Sequence, residues 1–329
     1  MANKIKIGIV GGAGYTAGEL IRILLNHPAA EISFVHSKSN AGNLLSKVHD
    51  DLLGETDFQF TASLAEAKSV DVLFLCVGHG EAKKFLEENV IDEKIKIIDL
   101  SQDFRLKENA TISTRNFVYG LPELNREEIK AANNIANPGC FATAIQLGLL
   151  PLAQAGIIKD VYTTGITGST GAGQSLSPTS HFSWRENNIQ AYKVLSHQHL
   201  NEIGQSLKQL QDSGTFDINF VPWRGDFTRG IFISSQLYCD LAIEELTVLY
   251  NEFYKHHPFV FMSKEPIHLK QVVNTNKCFI QLDKVGSKLV VHSVIDNLLK
   301  GASGQAVQNM NLMFWLEEAM GLKLKANYF

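Results

Sequence analysis

One cysteine stands in a context that could make it a nucleophile. The run NPGC at residues 137–140 places Cys140 after a Pro-Gly turn and at the start of an apolar, helix-like segment. The N-terminus of a helix stabilises a thiolate and lowers its pKa, so Cys140 is a candidate for covalent chemistry on an acyl group. The three remaining cysteines lie in apolar or alternating segments and are interpreted as small hydrophobic residues: Cys76, Cys239 and Cys278.

A reactive thiol needs a partner for proton transfer, and the run HQHLNE at residues 197–202 supplies candidates. His197 and His199 lie two residues apart at the head of a predicted helix, with Glu202 in its first turn. Histidine exchanges protons near neutral pH, and a carboxylate can orient an imidazole. The residues alone leave open which histidine acts, and whether either is simply a buried core residue.

A glycine-rich turn lies near the start of the chain. The run GGAGYTA at residues 11–17 follows a predicted strand and opens a predicted helix. Gly11 and Gly14 allow a tight turn and close approach of a pyrophosphate, and Ala17 lets the helix pack closely on the strand. This pattern predicts a dinucleotide site, with a purely structural turn as the alternative.

The end of the second predicted strand bears on the choice of cofactor. A site selective for NAD has Asp or Glu there to bind the ribose 2′-hydroxyl. This chain has VHSKS at residues 35–39, without a carboxylate. The hydroxyl of Ser37 and the ammonium of Lys38 suit a 2′-phosphate, so NADP is favoured over NAD.

The predicted elements that carry these residues fall into two groups. The first half alternates strands and helices, as in a doubly wound parallel sheet: strands at 4–10, 31–36, 70–77, 94–100 and 135–137, and helices at 17–26 and 80–89. The second half has several strands and few crossover helices, which indicates a mixed or antiparallel sheet in an α+β domain: strands at 161–167, 216–222, 231–240, 278–282 and 288–295, and helices at 141–150, 200–211 and 243–256. A last helix is predicted at 304–320.

Bulk composition excludes several classes of function. The 329 residues include 30 basic and 34 acidic side chains, a formal charge of −4 that gives no reason to expect nucleic acid or an anionic membrane as partner. No apolar run approaches the roughly 20 residues of a membrane span, and the first residues do not resemble a secretory leader. The cysteine spacing fits no zinc motif, so we expect no metal and a cytoplasmic protein with reduced thiols.

The segment NPGCFATAIQLGLLP at residues 137–151 resembles the signature of the N-acetyl-gamma-glutamyl-phosphate reductase family of arginine biosynthesis. Further segments are similar to that family in the same order: GGAGYTAGEL from Gly11, DLSQDFRL from Asp99, YGLPELNR from Tyr119, ITGSTGAG from Ile166, the HxHxxE run from His197, TRGIF from Thr228 and DNLLKGASGQAVQNMN from Asp296. The resemblance spans nearly the whole chain.

The resemblance implies a reaction and catalytic residues. Cys140 would attack the acyl phosphate and form a thioester, which NADPH would reduce to N-acylglutamate 5-semialdehyde with release of inorganic phosphate. His197 would be the acid/base with Glu202 nearby, and His199 the less favoured candidate. The implied cofactor-binding residues are Gly11, Gly12, Ala13, Gly14, Tyr15, Thr16, Ser37, Lys38, Gly78, Ser169, Gly171 and Asn309. The implied substrate-binding residues are Arg105, Asn137, Ser169, Thr170, His199 and Arg229, with residues 169–171 acting through backbone N–H groups.

The resemblance also implies an architecture like that of glyceraldehyde-3-phosphate dehydrogenase. A Rossmann-type NADP-binding domain would comprise residues 1–140 and 300–329, because Asn309 of the last helix would approach the nicotinamide. Residues 141–299 would form an α+β catalytic domain with a mixed or antiparallel sheet. That sheet is the expected surface for a homo-oligomer, a dimer or a tetramer.

Departures from the family pattern leave the substrate open. Gln198, Leu200-Asn201 and Trp184-Arg185-Glu186 replace typical family residues near the expected acyl-group pocket. The acyl group is therefore open between N-acetyl, N-succinyl and a carrier-linked aminoadipyl or glutamyl phosphate. Three alternatives remain. The same chemistry on aspartyl phosphate is disfavoured by the DFR and HxHxxE segments, and a cysteine acyltransferase or hydrolase would leave the glycine turn unused. The third is a nicotinamide-binding protein without turnover.

Overall fold

The computed structural model describes residues 4–212 and 214–329, and it divides into two compact units. The first unit runs up to Pro138 and includes Ala302–Lys323; the second comprises Gly139–Gly301 and Leu324–Phe329. The predicted domains differ from these units: residues 139–140 and 300–301 belong to the second unit and not to the first, and so do the last six residues. There the N–H of Asn327 donates to the carbonyl of Val273 (3.3 Å). The expectation that the first residues form no secretory leader concerns a segment whose first three residues lie outside the described part of the chain.

The first unit is built on parallel strands. Its strands are β1 (Ile5–Val10), β2 (Ala30–His36), β3 (Phe60–Thr61), β4 (Val72–Leu75), β5 (Lys96–Asp99), β6 (Thr111–Ile112), β7 (Arg115–Asn116), β8 (Val118–Tyr119) and β9 (Asn134–Ala136). Seven of them form one sheet in the order β3-β2-β1-β4-β5-β9-β8, with every neighbouring pair parallel. The wholly apolar β4 is fully buried, as a strand covered on both faces must be. The predicted doubly wound parallel sheet is confirmed.

Helices cover this sheet: α1 (Tyr15–Leu25), α2 (Glu81–Glu88) and α3 (Pro122–Ala131). Helix α3 was not predicted from the sequence, although a proline in the first turn is typical of a helix start. Its backbone leaves helical geometry at Asn125 (φ −123°), so the apolar periodicity of a regular helix is interrupted.

The second unit is built on a mixed sheet. Its strands are β10 (Asp160–Thr167), β11 (Gln190–Ala191), β12 (Asp217–Arg224), β13 (Ile231–Tyr238), β14 (Val260–Ser263), β15 (Cys278–Val285) and β16 (Lys288–Ile295). Its helices are α4 (Cys140–Gln154), α5 (Phe182–Arg185), α6 (His199–Leu210) and α7 (Ile243–Tyr254). The sheet order is β11-β12-β10-β13-β16-β15-β14, with parallel pairs at β10–β12 and β14–β15 and antiparallel pairs elsewhere. The predicted α+β arrangement with a mixed sheet is confirmed.

The pattern of burial shows how the second sheet packs. Along β13, buried and partly exposed residues alternate, so one face of the sheet lies against the core. The apolar helix α4 packs on that face, and the hydroxyl of Ser293 in β16 donates to the carbonyl of Ala144 in α4 (2.7 Å). Cys239 and Cys278 are buried in this unit, as expected of small hydrophobic residues.

The chain returns to the first unit with α8 (Gly304–Met313), all ten residues of which are buried. The predicted helix at 304–320 was too long. The backbone leaves helical geometry at Phe314, and Trp315 adopts a left-handed conformation (φ +56°), which ends the helix despite the apolar residues beyond it. Within the described residues, no helix is long and apolar enough to cross a membrane.

Candidate active site

Cys140 is the first residue of α4, and Gly139 is the residue that caps this helix. The N–H of Gly139 donates to the Oε2 atom of Glu202 (3.0 Å), a carboxylate that is only 3% exposed. The N–H of Thr143 closes the first helical turn on the carbonyl of Gly139 (2.8 Å). Glu202 therefore fixes the turn that carries the thiol, through a contact between residues far apart in sequence.

Gly301 packs against the same cysteine from the other side. A Cβ atom at position 301 would lie 2.7 Å from the Cβ of Cys140 and 3.1 Å from its Cα. Gly301 lies in a single π-helical turn, Leu299–Ser303, and its N–H donates to the carbonyl of Asp296 (2.9 Å). Only glycine fits this approach of two backbone segments.

His197 is buried within a group of aromatic rings. Its ring centroid lies 5.6 Å from Phe141, 5.6 Å from Phe220 and 5.8 Å from Tyr192. Burial and, to a smaller extent, the positive charge of Lys193 lower the pKa of His197 to about 4, against an opposing effect of Glu202. The imidazole is therefore neutral at pH 7.

The proton of this neutral ring is placed by a backbone contact. The N–H of His199 donates to Nδ1 of His197 (3.2 Å), so Nδ1 is an acceptor and the proton resides on Nε2. The ring of His199 lies 4.6 Å from that of His197, and its Nε2 lies 3.8 Å from Oε1 of Glu202. Glu202 thus lies against His199, and its charge also acts on His197.

Tyr192 is a neighbour of the thiol that was not predicted from the sequence. Burial raises the pKa of its hydroxyl to about 12, and the negative charge of the Cys140 thiolate contributes. The guanidinium of Arg224 lies 5.0 Å from the centre of the Tyr192 ring. Neither residue belongs to a recognisable catalytic motif. The pairing of β11 with β12 brings them together, and short sequence patterns do not report that pairing.

The turn Ser169–Ala172 corrects one prediction. Its backbone N–H groups were expected to bind phosphate, but they are used within the protein. Those of Ser169 and Thr170 donate to the carbonyls of Phe227 (2.9 Å) and Thr228 (3.1 Å), and that of Gly171 to the carbonyl of Gly168 (3.3 Å). Any contact with a ligand would have to come from the side chains of this turn.

Arg229 forms a two-pronged ion pair with a fully buried carboxylate. Its Nε and Nη2 donate to the two carboxylate oxygens of Asp296 (3.1 and 3.2 Å). Asp296 also accepts the N–H groups of Leu298 (2.8 Å) and Leu299 (3.0 Å), which lead into the turn around Gly301. Arg229 therefore supports the segment behind Cys140.

In the first unit, the predicted cofactor residues follow strands that end at one edge of the sheet. The strand register aligns His36, Val10, Leu75, Asp99 and Ala136 in a row across β2, β1, β4, β5 and β9. The strands are parallel, so the segments that follow them share the carboxyl edge, where such sheets bind ligands. Those segments contain the glycine turn, residues 37–38, Gly78 and Asn137.

The glycine turn fits a dinucleotide. Gly11 has a left-handed backbone (φ +81°), and a Cβ at Gly12 would lie 2.2 Å from Cγ1 of Val35. A Cβ at Gly14 would meet nothing within 4 Å, so the space before α1 is open. The helix has no side-chain cap, and its geometry leaves the first N–H groups of α1 without intrahelical acceptors.

The residues after β2 differ in exposure. Ser37 is buried and its Oγ accepts a hydrogen bond from the side chain of Asn40 (3.2 Å), whereas Lys38 is exposed. Burial lowers the pKa of His36, and the positive charge of Lys38 adds to this effect. A cationic side chain and the lack of a carboxylate at this strand end fit a 2′-phosphate.

Arg105, Asn137 and Asn309 form one hydrogen-bonded group. Nε and Nη2 of the buried Arg105 donate to the carbonyls of Asn137 (2.9 Å) and Leu100 (3.0 Å). The side-chain amide of Asn309 donates to Oδ1 of Asn137 (3.1 Å) and to the carbonyl of Gly120 (2.9 Å). Two guanidinium nitrogens of Arg105 thus hold the backbone that leads to the Pro-Gly-Cys turn.

Within the described residues, no group of three or more His, Cys, Asp and Glu side chains could hold a metal ion.

Comparison with known proteins adds independent findings. Residues 6–132 match the model of the semialdehyde dehydrogenase NAD binding domain, and residues 140–297 match that of the semialdehyde dehydrogenase dimerisation domain. Aspartate semialdehyde dehydrogenase II from Vibrio cholerae, complexed with ASA, superposes with a TM-score of 0.70 at 16% identity, over 95% of this chain and 99% of that chain. That of Francisella tularensis superposes with a TM-score of 0.70 at 16% identity, over 94% of this chain and 100% of that chain. At this identity, the likeness shows the shared fold.

Sequence relatives are much closer. The N-acetyl-gamma-glutamyl-phosphate reductases of Christiangramia forsetii, Bacteroides thetaiotaomicron and Flavobacterium johnsoniae are 59%, 57% and 56% identical to this chain. Each match covers 99% of this chain and the whole of the relative. The resemblance seen in the cysteine motif is confirmed: the chain belongs to the N-acetyl-gamma-glutamyl-phosphate reductase family.

Proposed function

We propose that this protein reduces an N-acyl-gamma-glutamyl phosphate to N-acylglutamate 5-semialdehyde in arginine biosynthesis, with NADPH as reductant and a thioester on Cys140. The observation that carries the proposal is the placement of Cys140 at the start of α4, held by Glu202 and accompanied by neutral His197. The family of full-length relatives supports the substrate class.

The chemistry divides into two steps at the γ-carbonyl carbon. The Cys140 thiolate bonds through Sγ to this carbon, and the bond to the phosphate oxygen breaks, with the electron pair leaving on phosphate. The cofactor, when bound, supplies a hydride for the second step. The tetrahedral oxyanion then expels the Cys140 thiolate and leaves the aldehyde, so the nucleophile is regenerated.

Both steps place negative charge on the former carbonyl oxygen. With its proton on Nε2 and a pKa of about 4, His197 serves as a neutral hydrogen-bond donor to this oxyanion. One such donor is worth about 10²–10³-fold in rate. Glu202 acts as a positioning residue through the N–H of Gly139. His199 connects Glu202 to His197, because its ring lies against Glu202 and its N–H donates to His197.

The cofactor site comprises the glycine turn at residues 11–14, the start of α1 with Tyr15 and Thr16, Gly78 and Asn309, as the family resemblance implies. Lys38 and Ser37 would select the 2′-phosphate of NADPH over NADH. In the first unit Arg105 holds the backbone of Asn137, which also accepts a hydrogen bond from Asn309, and in the second unit Arg229 pairs with Asp296. The family resemblance implies that Arg105, Asn137 and Arg229 bind substrate.

We further propose that the chain forms a homo-oligomer and acts in the cytoplasm, where thiols stay reduced. The face of the second sheet that points away from α4 carries Tyr162 and Tyr238, which are 60% and 73% exposed. The matched dimerisation domain supports a homo-oligomer, and this exposed face is our candidate for the subunit contact. Light scattering should give a multiple of the 36.4 kDa chain mass, and a monomer at micromolar concentration would refute the oligomer.

The test of the reaction runs it in reverse. Purified protein receives NADP⁺, inorganic phosphate and either N-acetyl- or N-succinylglutamate semialdehyde, and NADPH formation is followed. We expect phosphate-dependent turnover that falls at least about 10³-fold in Cys140→Ser. The matched control, Cys239→Ser, changes a buried cysteine and should keep the activity. A parent enzyme that oxidises neither aldehyde would refute the proposal.

A further inference from the structure

Two arginines lie together in the second unit, near the nucleophile and outside every family motif. Arg185 is the last residue of α5 and Arg224 the last residue of β12. The Nη2 atom of Arg185 donates to the carbonyls of Asn188 (2.9 Å) and Arg224 (3.2 Å). This contact holds the two cationic residues side by side.

Three buried donors of this arginine pair have no protein acceptor in the described part of the chain. Arg185 is only 9% exposed, yet its Nε and Nη1 have no hydrogen-bond partner among the described residues, and the same is true of the buried Nε of Arg224. Buried charged donors without acceptors are costly, so a ligand that accepts their hydrogen bonds is favoured.

The surrounding charges leave the pair positive. Burial lowers the pKa of Arg185, and the positive charge of Arg224 lowers it further, opposed by Asp226. Asp226 is exposed and accepts the N–H of Asn187 (2.8 Å); within the described residues it makes no ion pair with either arginine. The two guanidiniums lie against aromatic rings, Arg185 on Trp184 (5.3 Å) and Arg224 on Tyr192 (5.0 Å), and Arg224 also forms a hydrogen bond with the Tyr192 side chain.

Tyr192 connects the arginine pair to the reaction centre. Its ring centroid lies 5.8 Å from that of His197, which in turn lies 5.6 Å from the ring of Phe141, the residue after Cys140. Burial raises the pKa of Tyr192, and the thiolate charge of Cys140 adds to this effect. Tyr192 therefore lies between the guanidinium of Arg224 and the reaction centre, and Arg185 lies beside Arg224. A substrate bonded to Cys140 could extend past Tyr192 to reach both arginines.

We propose that Arg185 and Arg224 form a subsite that binds a carboxylate of the acyl substrate. The inference rests on the proposed function for the identity of that substrate. Planar guanidiniums match a carboxylate with paired, charge-assisted hydrogen bonds. The carboxylate has two possible sources, the α-carboxylate of the glutamyl group and a second carboxylate at the end of a dicarboxylic N-acyl group such as N-succinyl.

The kinetic test compares Arg224→Gln and Arg185→Gln with the parent, using the N-acetyl and N-succinyl semialdehydes. We expect KM to rise at least about tenfold while kcat changes less than about twofold, because ground-state binding is lost. An equal rise in KM for both substrates would show that the subsite binds the α-carboxylate. A rise in KM for the N-succinyl substrate alone would show that it binds the carboxylate of the acyl group. The matched control, Arg22→Gln, removes a partly exposed arginine that pairs with Glu19 and should leave both KM values unchanged.

Folding and turnover are controlled separately. Arg185 also supports two backbone carbonyls, so if Arg185→Gln lowers the melting temperature, Arg224→Gln carries the test, with Arg224→Lys expected to recover part of the binding. Calorimetric titration with N-succinylglutamate and N-acetylglutamate measures the same subsite without turnover. This titration therefore still decides the inference if the parent oxidises neither aldehyde. Folded Arg224→Gln protein whose KM values and ligand affinities stay within twofold of the parent would overturn the inference.

Discussion

Replacement of Gly301 by alanine tests how the structure holds the nucleophile. The added methyl carbon would lie 2.7 Å from the Cβ of Cys140, 3.1 Å from its Cα and 3.3 Å from the carbonyl oxygen of Asp296. Carbon atoms in favourable contact are about 3.5–4.0 Å apart, so the two segments must separate by about 1 Å. The backbone of Cys140 and the π-helical turn are the parts that would move.

The displacement should affect stability and rate by different amounts. Overpacking of a well-packed site costs about 1–3 kcal/mol in the free energy of unfolding. A misplacement of about 1 Å at reacting groups costs about 10²-fold in rate. We therefore expect Gly301→Ala to fold with a reduced melting temperature and to lose about 10²-fold in kcat, with a smaller change in KM.

The assay is phosphate-dependent oxidation of the semialdehyde, together with thermal unfolding of each variant. Gly204→Ala is the matched control, because Gly204 lies in α6 of the same unit and a Cβ there would meet nothing within 4 Å. That change should keep the activity and add up to about 1 kcal/mol of helix propensity. Gly301→Ala protein with a kcat within threefold of the parent would refute the reasoning that close packing positions the thiol.

Three further predictions concern buried and exposed charges. Glu202→Ala should lower the free energy of unfolding by about 1–3 kcal/mol and lower kcat, because it leaves the N–H of Gly139 without its acceptor. Glu202→Gln keeps an acceptor oxygen and should recover most of the stability. Equal losses in both variants would contradict this role. Between pH 6.5 and 4 the unfolded chain binds a proton at His197 that the folded chain does not. The free energy of unfolding therefore falls by about 3 kcal/mol in total as the pH falls. Urea unfolding of His197→Asn should show a smaller pH dependence than the parent, and an unchanged dependence on pH would contradict this prediction. Lys38→Glu should raise KM for NADPH about tenfold and leave KM for NADH within twofold, when initial rates are measured with each cofactor. An unchanged ratio of the two KM values would exclude Lys38 from the 2′-phosphate site.

Much of the fold could be predicted from the sequence because its signals are local. The buried run of β4 and the alternation along β13 and β16 depend on neighbouring residues only, and their positions agree with the structure. The glycine turn and the Pro-Gly-Cys turn are likewise written in short motifs. The error at the last helix arose because its end is set by the left-handed backbone at Trp315, which apolar periodicity does not report.

The candidate site was only partly predictable, since its supporting contacts join distant segments. No local pattern shows that Glu202 accepts a hydrogen bond from Gly139, or that Gly301 packs on Cys140. The expectation that the amides of the Ser169 turn bind phosphate was wrong for the same reason, because the carbonyls of Phe227 and Thr228, distant in sequence, accept two of them. Arg185 was visible in the sequence as a departure from the family pattern, without any sign of its partner.

The sequence by itself determined the chemistry available to this protein: a thiol at a helix start, two histidines with a carboxylate, and a glycine turn that fits a dinucleotide. The tertiary structure decided the state and position of those groups. His197 is a neutral donor because Phe141, Phe220 and Tyr192 surround it, and the thiol is fixed because Glu202 and Gly301 hold its turn. Residue types are set one position at a time, whereas pKa and position depend on burial and contacts that exist only after distant segments have packed.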